Sequence, residues 1–158
     1  MIFAVMFAAM FAGHSFGDHW VQTHKQAIAK GALGPAGRAA CMRHVVGLTG
    51  TKMVFLLFAE LATGVRVAWF ALVLALAIDA ASHYWADRAA FHPSKDYAVT
   101  LEKLANLLNK GGFYRLGRGT VNADGQPAPT LGTGAYALDQ SFHVAMLFVA
   151  ALIMEALS

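Results

Sequence analysis

Inside three apolar runs of this chain a histidine and an aspartate stand four residues apart: His14 with Asp18, Asp79 with His83, and Asp139 with His143. On a helix that spacing stacks both side chains on one face, a single turn apart. An ionisable side chain buried in an apolar helix costs about 3 kcal/mol on insertion scales. It persists where it pairs, lines water or binds metal. Three such pairs therefore call for a shared polar interior, and that limits the chain to helices gathered round one core.

The first pair heads the stretch 13–25, GHSFGDHWVQTHK, where His14, Asp18 and Gln22 form one polar stripe and Lys25 falls close to it. Phe16, Trp20 and Val21 occupy the other side. The apolar fraction is 58% and the charged fraction 13%, against about a quarter charged in soluble domains. That balance predicts an all-α polytopic membrane protein. Its 158 residues suffice for one domain. Four segments approach the roughly 20 residues that a span requires, at about 2–23, 44–62, 65–85 and 136–157. With no Lys or Arg before Lys25, the first run lacks the basic start of a signal peptide and reads as a retained span. The break GALGPAG reads as a loop ahead of the second span. The loop between the third and fourth spans holds an amphipathic interfacial helix over 97–110, ended by Gly111–Gly112. Lys30, Arg38, Arg43, Arg88, Lys95, Lys103, Lys110, Arg115 and Arg118 crowd the two long connections, which places these in the cytoplasm and both termini outside. No basic runs interleave with aromatics, so nucleic-acid binding is not expected.

Placed by depth, His14, Asp18, His44, Asp79, His83, Asp139 and His143 collect in one inner slab contributed by four helices. Imidazole with carboxylate suits zinc, iron or manganese, and helix bundles build metal sites by projecting such ligands inward. The set serves one or two ions, and ligand count favours two. Any of Asp18, Asp79 and Asp139 that does not ligate is a candidate general base. Gln22 and Gln140 border the ligand stripe, where they would orient ligands or a water, or equally hydrogen-bond between helices. Lys52, two turns beyond His44, would neutralise a buried aspartate. Lys25, Lys110, Arg115 and Arg118 are candidate contacts for an anionic substrate or lipid headgroup. Asp87 with Arg88 reads as a solvated pair at the end of the third span. His19, His24 and His92 read as interfacial, and the single Cys41 carries no role.

Axial haem b ligation by one histidine per span is a weaker alternative, because haem makes no use of the paired aspartates. Few polar residues continue outward past the slab, which favours a site over a pathway. The leading expectation is a membrane-embedded metal-dependent hydrolase acting at the cytoplasmic face on a phosphate- or acyl-containing, lipid-like substrate. The alternatives are a divalent-metal or proton transporter, and a non-catalytic scaffold stabilised by metal. A homo-oligomer stays open.

The pattern His14-x3-Asp18-x3-Gln22, an isolated His44, Asp79, and Asp139-Gln140-x2-His143 resembles the domain of unknown function 3307 family, small polytopic membrane proteins of bacteria and their phages. The resemblance runs through all four spans and implies the bacterial inner membrane. It departs at Ala75, where family members often carry a histidine, and in the long insert before Tyr136.

Overall fold

A computed structural model describes residues 2–90, 101–117 and 133–158. Among the described residues every regular element is helical: α1 Ile2–Phe16, a π-helical turn Gly17–Val21, α2 His24–Ala29, α3 Gly34–Thr63, α4 Trp69–Ala90, α5 Leu101–Leu107, α6 Gly111–Tyr114 and α7 Gly134–Ala156. The four longest helices form a ring in which α1 packs on α3 and α7, and α4 on α3 and α7.

Neighbours run antiparallel. The tight connection after Gly64 (φ 73°) turns α3 back into α4. The amide of Phe3, at the start of α1, donates to Glu155 near the end of α7 at 2.6 Å. That of Ala68, just before α4, donates to the Ser158 hydroxyl at 2.9 Å. Apolar side chains fill the half of the ring at that end, with Met6, Met10, Leu147, Ala150 and Met154 fully buried. Large apolar side chains such as Val54, Leu57, Phe58, Leu61, Val73 and Leu152 cover the outside. Polar side chains inside and apolar ones outside reverse the order of a water-soluble bundle.

Three helices, α3, α4 (Trp69–Arg88) and α7, are long and apolar enough to cross a membrane. Four were expected. In the first segment the α-helix stops at Phe16. Fifteen residues reach about 22 Å, short of a hydrocarbon core of about 30 Å, and the chain continues in the wider π-turn. The second segment begins earlier than expected. Gly34, at φ 81°, lets the chain turn into α3, and Pro35 occupies the first turn, where its missing N–H is not needed. The end of GALGPAG therefore opens a helix rather than lying in a loop. The loop helix covers only Leu101–Leu107 within the described residues; 97–100 lie outside them. It stops before the Gly-Gly pair because Asn109 takes a left-handed conformation (φ 56°). α7 starts where the Thr133 hydroxyl caps the Tyr136 amide at 3.2 Å.

Two glycines fix the approach of α1 to α3. A Cβ on Gly13 would lie 2.9 Å from the Lys52 Cα, and one on Gly17 would collide with the Leu48 side chain. Each glycine is followed directly by an ionisable residue, His14 and Asp18. The close contact thus seats those two side chains at the bundle axis.

Candidate metal centre

Four side chains from three stretches of chain meet at the end of the ring opposite Glu155 and Ser158. Asp18 comes from the π-turn, His44 from α3, and His83 and Asp87 from successive turns of α4. His44 Nε2 lies 3.1 Å from His83 Nε2, 3.3 Å from Asp18 Oδ1 and 3.4 Å from Asp87 Oδ2. His83 Nε2 lies 3.4 Å from Asp87 Oδ2 and 4.0 Å from Asp18 Oδ1. Donors bonded at about 2.0–2.1 Å to one tetrahedral ion stand about 3.3–3.4 Å apart. The five separations bracket that value. Asp18, His44 and His83 could together hold an ion, as could His83, Asp87 and His143. The two groups share His83.

The histidines and aspartates around these four complete the slab. His14 Nε2 is 3.5 Å from the other oxygen of Asp18, and neither nitrogen of His14 has a hydrogen-bond partner among the described residues. His143 stacks on His83 with ring centres 4.0 Å apart and lies 3.5 Å from Asp139. Gln140 leans on Asp139 at 3.4 Å. Asp18 Oδ1 and Asp139 Oδ1 are buried without a hydrogen-bond donor among the described residues, an arrangement that costs about 1–3 kcal/mol or more for a charged group unless something else satisfies it.

Asp79 falls outside the cluster. One layer further in, Lys52 donates to Asp79 Oδ2, and both residues are buried. Lys52 thus meets an aspartate, and that aspartate is the one grouped with the ligands from spacing. Asp87 and Arg88, read as a solvated pair, are buried instead. The turn after α2 covers them. Lys30 Nζ sits 2.7 Å from Asp87 Oδ1, and the Arg88 guanidinium donates to the carbonyls of Lys30 (3.0 Å) and Ala32 (2.5 Å). Burial alone would depress the Lys30 amine, but the Asp87 carboxylate overrides it and holds the pKa above the usual lysine range. Asp87 was legible in principle: Asp79-x3-His83-x3-Asp87 is a three-rung ladder at helical spacing. Nothing local points to Lys30.

Gln22 carries a buried side-chain nitrogen without a hydrogen-bond partner among the described residues. With Gln26, Arg43 and His44 it lines a recess of about 30 Å³, room for a water. Lys25 and Lys110 are exposed. Arg115 turns to Glu102 and Asn106 rather than to the slab. Arg118 and His92 lie outside the described residues, while His19 and His24 are exposed. Cys41 is buried.

No family model, curated protein or solved structure matches the chain. The resemblance to the domain of unknown function 3307 family gains no support from these comparisons.

Proposed function

We propose that the chain is a membrane-embedded metalloprotein that holds one divalent transition-metal ion among Asp18, His44, His83 and Asp87 and uses it to hydrolyse a phosphate- or acyl-containing substrate. The observation that carries the metal reading is the convergence of the four donor atoms: His44 Nε2 and His83 Nε2 lie 3.1–4.0 Å from each other and from one oxygen each of Asp18 and Asp87, close to the edge of a tetrahedron about one ion. The shared His83 favours one ion over two.

Charge balance supports the hydrolytic part. Four buried or nearly buried carboxylates (Asp18, Asp79, Asp87, Asp139) face three cations (Lys30, Lys52, Arg88). With neutral imidazoles the slab carries one net negative charge. A divalent ion with one hydroxide brings it to zero, which low-dielectric surroundings favour. Held by Asp18, His44, His83 and Asp87, a divalent ion would supply Lewis acidity and make a water more acidic, and the recess beside His44 has room for one water. Transport is disfavoured because the core beyond Lys52 and Asp79 is apolar and closed by Met6, Met10, Leu56 and Leu147. The inner membrane, with the slab toward the cytoplasm, is the location this reading requires.

Elemental analysis of detergent-purified protein tests the metal. About one equivalent of zinc, iron or manganese is expected, lost in His83→Ala. Metal-free protein from metal-replete cells would reject the reading. Turnover of a short-chain phosphatidic acid or a p-nitrophenyl ester, abolished by chelation and restored by metal, tests hydrolysis. A fully loaded protein inert toward both classes would leave a structural metal site.

A further inference from the structure

We propose that Lys30 restricts Asp87 to one oxygen ligand and thereby selects metals that accept four-coordination. The inference rests on the metal reading above. Lys30 belongs to none of the four long helices, yet its side chain is only 12% exposed. Its ammonium lies 2.7 Å from Asp87 Oδ1, whereas Oδ2 of the same carboxylate lies 3.4 Å from both His44 Nε2 and His83 Nε2. The two oxygens therefore have separate tasks. One is occupied by a cation, and only the other is left to face an ion.

Lys30 is also held in place through its backbone. Arg88, next to Asp87, donates to the carbonyls of Lys30 and Ala32. Gly37 on α3 permits this approach, since a Cβ there would lie 2.9 Å from the Arg88 guanidinium. Adjacent residues of α4 thus grip the side chain and the main chain of one lysine. A carboxylate fixed in this way cannot chelate through both oxygens. Zinc and cobalt are content with four ligands of this kind, whereas manganese and calcium prefer six or more, largely oxygen. Freeing Oδ1 would allow bidentate binding and a higher coordination number.

The test compares wild type, Lys30→Met, Lys30→Gln and the exposed-site control Arg38→Gln, purified in detergent, stripped of metal and titrated with Co(II) and Mn(II). Wild type and Arg38→Gln should prefer Co(II) and give the strong visible absorption of tetrahedral cobalt. Lys30→Met should bind Co(II) about 10–100-fold more weakly, move the Co:Mn preference toward manganese by about tenfold, and lose absorption intensity. Should Lys30→Met fail to fold, Lys30→Gln carries the test. Its amide can still donate to Oδ1, and an intermediate shift is expected. A variant that folds and keeps the wild-type Co:Mn ratio overturns the inference while leaving the metal site standing. Wild type that binds neither ion rejects the metal reading itself, and this inference with it.

Discussion

His44 and His14 are equally buried, yet their removal should have unequal effects. In the proposed site His44 supplies one of four donor atoms, so His44→Ala should leave less than about a tenth of an equivalent of metal after dialysis. His14 supports Asp18 from behind, across 3.5 Å. Losing an outer partner of this kind lowers affinity about 10–100-fold, so His14→Ala should still load in excess metal. Equal losses in a competition titration would contradict the four-donor assignment. Lys52 poses a different question. Deleting one member of a buried ion pair strands the other, at about 3–5 kcal/mol, whereas an apolar pair of similar volume is often neutral. Lys52→Met should therefore destabilise strongly, and Lys52→Met with Asp79→Leu should recover most of the loss in a denaturant titration. The residue types of the site were readable because histidine and aspartate are conspicuous among apolar neighbours. Their partners were not. Asp79 and Asp87 stand at equal helical distance from His83, and only Lys52 from one helix and Lys30 from a distant turn decide which of them faces the cluster.

At the level of elements, the contact of α1 with α3 controls whether Asp18 reaches His44. The Gly13 position abuts backbone, not a flexible side-chain tip, so even Gly13→Ala forces the helices apart. A loss of about 1–3 kcal/mol is expected, in line with overpacking elsewhere, together with weaker metal binding. Gly47 and Gly50 on α3 have nothing within 4 Å. Alanine there should be neutral or stabilising by up to about 1 kcal/mol. If all three variants unfold at the wild-type midpoint, close helix contact is not what seats the site. The all-helical class was legible from the apolar runs of α3, α4 and α7, but the number of helices long enough to span was not, since three were found where four were expected. The π-turn was not, because a five-residue change in winding leaves no trace in a 3.6-residue pattern. It bears on the proposed site, since Asp18 sits on it and such turns often occur at functional sites. The start of α3 was missed for a related reason: Gly34 and Pro35 look like a loop, but in sequence they are equally well suited to opening a helix.

For the whole molecule, the ring has two unlike ends. Glu60, Arg66, Glu155 and Ser158 gather at one. At the other lie the slab, the start of α3 with Arg38 and Arg43, and the turn carrying Lys30. Basic residues near helix ends are retained on the cytoplasmic side, so the slab should face inward. Cysteine labelling in a Cys41→Ala background measures this directly, since Cys41 is the chain's single thiol. Ser158→Cys should react with a membrane-impermeant maleimide added to intact spheroplasts. Lys110→Cys, in the exposed segment after α5, should react only after permeabilisation. The opposite pattern would put the slab outside the cell and remove cytoplasmic substrates from consideration. Both sites reacting from outside would mean that the ring does not cross the bilayer.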